Sequence, residues 1–356
     1  MMMENKVYIR STGIISPQAN FGKKEDFALA SEYTGSSLHC IEPDYKSILD
    51  PKLIRRMSRI IRMGAAAALE CMVHSEVQQP DGIITGTAYG CVEDTVSFLT
   101  KMVENKEELL TPTAFIQSTH NTVGSQIALL LKCHQYNNTF VQRGFSFEHA
   151  LMDALLLLNE NEAKTILVGG IDELNETSEA ILKRFGLYRT NQNNLQLLTT
   201  SGKGSMAGEG ASFFLLSSES SSGNIACLDD LKMLFDPNEE TDVVQWIHYC
   251  LSENNLTWEQ IDLVITGRNG NQQGDLIYDK LEFSIAKKTR FAYFKHLCGE
   301  YPTASSFGMW MAVSSIRENK IPFTVTSKTQ SGTIRKVLLY NHDQNGHHSL
   351  MLFSAC

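Results

Sequence analysis

A short apolar run, a tight turn and a strongly apolar helix follow one another in NNTFVQRGFSFEHALMDALLLL, around Gly144. In a strand–turn–helix of this kind the turn residue lies at the helix N-terminus. Unpaired N–H groups and the macrodipole favour an anion there. A cysteine at that point would be a nucleophile of low pKa. The residue is Gly144, which has no side chain. A second cluster, FKHLCGEYPTAS (294–305), places Cys298 three residues from Lys295 and beside His296. The positive charge would lower the thiol pKa and the imidazole could serve as a base. A packed thiol and a polar packing histidine are the plainer readings. His342, His347 and His348 gather in a third stretch with Asp343 as their only acidic neighbour. With no cysteine nearby, these read as a solvated turn and not as a metal site.

Phosphate and dinucleotide chemistry is not signalled. GKGSMAGEG (202–210) lacks P-loop spacing, because Lys203 precedes most of the glycines. Gly82, Gly86 and Gly90 do not make a dinucleotide fingerprint. No cofactor is expected.

The positioning elements read as alternating strands and helices. KVYIRSTGIISP (6–17) is strand-like, and 51–78 has helical spacing with an alanine-rich stretch. Residues 81–95 are a buried strand running into a Gly-rich loop and a helix. Residues 111–132 are a polar loop opening a buried helix, with Ser118 or Thr119 as its N-cap. TILVGGIDE (165–173) and the stretch after GKGSMAGEG are buried strands. Ser217–Gly223 is a low-complexity seam, beyond which the order recurs: a helix at 243–255, a strand at 262–275 and a terminal hairpin at 335–354 with a polar turn. Continuous apolar strands between helices predict a layered α/β protein of two similar halves, 1–218 and 219–356.

The 356 residues suffice for one large core or two related halves. Apolar residues at 42% and charged residues at 20% describe a soluble globular chain. A net charge of −9 argues against nucleic-acid binding. Basic residues cluster at Lys52, Arg55, Arg56, Arg59 and Arg62; on a helix several share a face, which reads as a solvated face or, alternatively, as a docking patch for an acidic carrier protein. The eight cysteines are scattered without CxxC pairs or zinc spacing and read as reduced, packed thiols. Neither a signal-peptide core nor an 18-residue apolar span is apparent, so a cytoplasmic location is expected.

Taken together, VYIRSTGIISP, PTAFIQSTHNTVGSQIAL, VGGIDE, MAGEGASFFLL and FKHLCGEYPTAS resemble the β-ketoacyl synthases, condensing enzymes of the thiolase-like fold. The resemblance implies a layered αβαβα arrangement of two duplicated halves. It also implies a cysteine that accepts an acyl group from a carrier thioester, and two histidines that stabilise the oxyanion and drive decarboxylation. Carried over by position, the cysteine falls on Gly144. The first histidine falls within Arg268–Gly274, which holds none, and the second falls on Glu300 after Gly299. Lys295 alone stands where the family places its lysine. The gating loop is replaced by NHDQNGHH (341–348).

The chain therefore resembles silent members of the family, the chain-length factors, which pair with an active ketosynthase and shape its acyl channel. Their glutamine in place of the cysteine is not reproduced: Gln142 lies two residues early. The implied partners are an active ketosynthase subunit, an acyl carrier protein and an acyl chain. The implied interface includes Ser118, His120, Asn121, Phe140 and Gln142, with the strand Thr139–Arg143. Products of polyketide, aryl-polyene or fatty-acid type follow by analogy. The alternative is a divergent β-ketoacyl-ACP synthase or acyltransferase with an atypical nucleophile such as Cys298. A third reading is a silent homodimer that binds acyl chains or carrier protein.

Overall fold

The computed structural model describes residues 6–22, 30–200, 202–237, 242–285, 289–321, 332–343 and 346–356. Ten strands form one sheet. In chain order they are β1 (Val7–Ile15), β2 (Gly82–Gly86), β3 (Tyr136–Phe140), β4 (Thr165–Asp172), β5 (Gly210–Ser217), β6 (Ala226–Phe235), β7 (Leu263–Thr266), β8 (Arg290–Tyr293), β9 (Lys336–His342) and β10 (His347–Ser354). Their spatial order is β8-β7-β9-β10-β6-β1-β5-β4-β2-β3. Outward from the central β1–β6 pair, each side runs through the same sequence of positions, five strands apart in number. On each side three strands are parallel, and the two nearest the centre are antiparallel.

The strand sequences explain this placement. GIITG, TILVGGID and GASFFLLS are buried at every residue, as expected of strands covered on both faces. The main helices are α1 (Arg59–Val73), α2 (Val92–Glu104), α3 (Thr122–Leu131), α4 (Ser146–Asn159), α5 (Val243–Glu253), α6 (Gln272–Ser284) and α7 (Ser305–Glu318). α7 carries no charge before Arg317 and is buried from Ser305 to Ile316. A helix apolar on all sides must lie inside. α7 packs on β9 and β10 and also on β5 and β1, while α4 packs on β2, β3 and β4 and reaches β6.

Three cores result. Phe147, Leu155, Phe214, Phe307, Met311, Leu339 and Phe353 fill the central one between the two halves of the sheet. α1 and α3 cover one outer face with Ile60, the Ala65–Ala68 run and Ile127. α5 and α6 cover the other with Ile247, Tyr278 and Leu281. The architecture is thus helix, sheet, helix, sheet, helix, and the two sides of the sheet meet at the β1–β6 pair.

Local readings shift at three places. The predicted helix over 51–78 is a short helix Pro51–Ile54 followed by α1, which starts after Ser58. The helix within 111–132 is split as well. Ser118 closes a short helix Pro112–Gln117, and Asn121 precedes α3, so neither Ser118 nor Thr119 is the N-cap. The strand placed at Thr139–Arg143 is β3, which ends at Phe140.

Candidate functional site

β3 delivers the chain to Gly144, and a hydroxyl closes the turn. Ser146 Oγ donates to the Arg143 carbonyl at 2.8 Å and accepts from Gln142 N–H at 2.9 Å. Arg143 adopts φ 49° in this tight passage, and α4 starts at Ser146. The side-chain space at Gly144 is already filled. A Cβ added there would lie 2.1 Å from Asp343 Oδ2, 2.7 Å from its Cγ and 3.0 Å from His347 Cγ. Asp343 is a short side chain, and it is held. Its Oδ1 accepts from His347 N–H at 3.1 Å and faces His347 Nδ1 at 3.0 Å. The His347 ring stands edge-on to Phe145 at 4.6 Å and lies 5.0 Å from Phe235. A carboxylate thus occupies the anion-favouring turn before α4, supplied by the hairpin and not by the turn itself.

The terminal hairpin was expected to be a solvated turn, and this is overturned. Asp343, His347 and His348 are buried, as is Asn341 at the end of β9. Gln344 and Asn345 lie outside the described residues. The cause is that β9 and β10 pair up to His342 and His348, which brings Asp343 and His347 against the turn before α4. The His342 ring stacks on Tyr278 at 4.9 Å and on His348 at 5.2 Å. Burial pushes both imidazoles down to about 4, so both are neutral at pH 7. Among the described residues no group of three or more His, Cys, Asp or Glu could hold a metal ion.

A second polar cluster brings together Lys295, Glu300 and Asn269. Lys295, 1% exposed, donates from Nζ to Glu300 Oε1 at 2.8 Å and to the His342 carbonyl at 2.9 Å. Glu300 Oε2 accepts from Asn269 Nδ2 at 2.6 Å. Asn269 lies in the loop 267–271 before α6 and is fixed there by Asp275 of α6, which accepts from the backbone N–H of Asn269 and Gly270. Glu300 is set in place by a glycine crossing. Gly299 has φ +80°, and a Cβ on it would lie 2.4 Å from the Gly208 Cα. Backbone bonds Glu300 N–H to Met206 O and Gly208 N–H to Glu300 O hold the two segments together. Hairpin residues 342 and 343 thus join the Lys295–Glu300–Asn269 cluster to the turn at Gly144.

The other expected site residues fall into two groups. Cys298 is fully buried, and burial drives its thiol well up, outweighing the lowering by Lys295. The expected lowering is reversed because burial dominates, and the nearby Glu300 carboxylate adds to the rise. His296 is 1% exposed, and burial takes its imidazole down to about 3, which suits packing and not base catalysis. Ser118, His120 and Asn121 lie on the loop before α3, and Phe140 and Gln142 at the end of β3. β3 is an edge strand, paired only to β2. Phe140 is half-buried, while His120, Asn121 and Gln142 are exposed.

The basic cluster does not share one face. Arg59 turns inward and forks onto Glu209 with two bonds of 2.6 Å, and Arg62 lies over the Tyr45 ring. Lys52, Arg55 and Arg56 remain exposed. A cleft of about 1180 Å³ opens beside α6, lined by Lys203, Asn271, Lys280 and His342, and it ends at Asp343 and His348. Sequence reading missed Asn269, Asp343 and His347. Gly144 itself was the available signal, since an absent side chain in a packed interior must be replaced by something.

With this geometry established, comparison with known proteins is specific. Residues 41–199 match the family model of the beta-ketoacyl synthase N-terminal domain. No curated protein matches the sequence. The ishigamide ketosynthase/chain length factor is similar with 16% identity over 99% of this chain and 99% of that one, at a TM-score of 0.79. A beta-ketoacyl synthase from Burkholderia phymatum is similar with 13% identity over 99% and 100% of the two chains, TM-score 0.81. The ketosynthase ApeO in complex with its chain length factor ApeC, from Xenorhabdus doucetiae, is similar with 13% identity over 99% and 98%, TM-score 0.78. The fold is therefore that of the thiolase-like ketosynthases. Residues 41–199 resemble the beta-ketoacyl synthase N-terminal domain, and the whole chain shares its fold with structures named for ketosynthases and chain length factors. Among the described residues no helix is long and apolar enough to cross a membrane.

Proposed function

We propose that this chain is the non-catalytic, chain-length-factor-type subunit of a ketosynthase heterodimer in polyketide-type biosynthesis, built from duplicated halves 1–218 and 219–356. The observation that carries the reading is Gly144, whose side-chain space is filled by Asp343. No nucleophile can stand at the turn, and none of the residues replacing the two histidines can present an imidazole. Glu300 and Lys295 neutralise each other, so an oxyanion would find no free positive charge. The alternative nucleophile Cys298 is disfavoured by its complete burial and raised pKa.

Pairing is supported by the unpaired edge of β3 and by exposed apolar side chains nearby. Val103 on α2, Phe115 and Ile116 on the short helix, and Leu129 on α3 are 57–76% exposed. An apolar surface of this kind marks an interaction site. Two of the similar structures are named for ketosynthase and chain length factor together, which supports a ketosynthase as the partner. Lys52, Arg55 and Arg56 are the residues we assign to contact with an acidic acyl carrier protein, and the partner's acyl chain would run along the shared interface.

The test is co-expression with a cysteine-bearing ketosynthase from the same biosynthetic cluster. The proposal predicts a one-to-one complex on gel filtration, disrupted when Phe115 and Ile116 are both changed to Asp. Monomer or homodimer alone, with the ketosynthase eluting separately, contradicts it.

A further inference from the structure

Cys227 and Cys356 stand apart from the other thiols. Cys227 lies fully buried on β6, and Cys356 is exposed two residues beyond β10. β6 and β10 are antiparallel neighbours, with Cys227 opposite Ser354. Side chains two residues apart on a strand share a face, and Cys356 follows Ser354 by two. The Cys356 sulfur therefore comes round onto the Cys227 sulfur. The Sγ–Sγ separation is 2.8 Å, well inside the contact distance of two unbonded sulfurs and short of the about 2.05 Å of a disulfide. Ala355 N–H donates to the Arg335 carbonyl and holds the terminal segment in this position.

We propose that Cys227 and Cys356 are a dithiol site that forms an intramolecular disulfide with small-molecule disulfides of the oxidised-glutathione class. The exposed Cys356 thiol loses its proton to solvent, and the thiolate attacks the reagent disulfide, forming a mixed disulfide and releasing one reagent thiolate. The Cys227 thiol then gives up its proton and attacks the Cys356 sulfur of the mixed disulfide, releasing the second reagent thiolate. Two protein thiols are oxidised to one disulfide, and one reagent disulfide is reduced to two thiols. Burial and the facing Cys227 hold the Cys356 thiol high, so the reaction accelerates as pH rises from 7 to 9. The product bond ties the end of β10 to β6, while His347 lies at the other end of the same strand. It closes a loop of more than a hundred residues, which restrains the unfolded chain strongly.

The test is intact-mass spectrometry of the full chain after oxidised glutathione, followed by non-reducing peptide mapping. The expected result is a loss of two hydrogens and a cross-linked peptide joining Cys227 to Cys356. Dithiothreitol should reverse it, and the melting temperature of the oxidised form should rise by a few degrees. Cys356→Ser, at an exposed terminal position that leaves the core untouched, should abolish the mass loss, and Cys40→Ser should not. A stable glutathione adduct on Cys356, a cross-link to another cysteine, or an unchanged mass at pH 9 overturns the proposal.

Discussion

Glu209 and Glu300 lie on either side of one glycine crossing and are shifted in opposite directions by their surroundings. Each follows a glycine, Gly208 and Gly299, and those two glycines touch. Glu209 is held by the Arg59 fork, by His39, and by the backbone N–H of Cys40 and Leu174, which together take it down to about 2 against the opposing effect of burial. Glu300 is met by Lys295 and Asn269, yet burial still raises its carboxyl. Glu209 ties the start of β5 to α1 and to the end of β4, and it belongs to a turn that the β-ketoacyl synthase resemblance also contains. Glu300 stands where that resemblance places a histidine. The glutamate that ties the scaffold together is held as an anion by a cation and backbone N–H groups, and the one at the position the resemblance gives to a histidine is packed against Lys295 and Asn269.

That contrast can be broken at several points. Arg59→Ala should have the largest effect, because it leaves Glu209 charged and buried with its main partner gone. A loss of about 3–5 kcal/mol in urea unfolding at pH 7 is expected. Glu209 contributes its stability above the ordinary carboxylate range. That contribution is lost as pH falls toward 2, so Arg59→Ala and the parent should converge in acid.

A buried carboxylate without a cation should behave in the opposite way. Glu148 of α4 is fully buried, bonded to Ser349 Oγ at 2.8 Å, and pushed up by burial to about 7. The folded state therefore holds its proton between pH 4.5 and 7 while the unfolded state does not, so stability falls across that window and is flat above it. Glu148→Gln should be more stable than the parent at pH 8, by up to about 3 kcal/mol, and equal to it near pH 5. Equal stability of the two at pH 8 would contradict this account of α4.

Restoring a thiol sharpens the comparison from the catalytic side. Gly144→Cys must displace Asp343 and should cost about 1–3 kcal/mol. Gly144→Cys combined with Asp343→Gly should recover most of that loss. The double variant should also react with iodoacetamide at residue 144, where the parent offers no thiol. The smallest effect belongs to the exposed cations. Lys52→Glu, Arg55→Glu and Arg56→Glu together should move stability by no more than about 0.5 kcal/mol each while weakening carrier-protein binding in a salt-dependent way.

Much of the fold was legible because its strands are unbroken apolar runs. TILVGGID and GASFFLLS can only be interior strands, and the recurrence of helix, strand and glycine loop after the serine-rich seam pointed to the repeated halves. The emptied turn at Gly144 was legible for the same local reason. What fills it was not. Asp343 lies almost two hundred residues away, and NHDQNGHH has the composition of a solvated turn. Only the pairing of β9 with β10 carries it into the interior. The same holds for Asn269 against Glu300, a contact made between two loops. Cys298 misled because charge proximity in sequence was weighed without the burial of the thiol, which dominates, and without the nearby Glu300 carboxylate.

The most direct test of catalytic silence is intact-mass spectrometry after incubation with acyl-carrier thioesters, with this chain alone and with a cysteine-bearing ketosynthase. The account predicts that only the ketosynthase gains the acyl mass. An acyl group on this chain, mapped to any of its own residues, would contradict it.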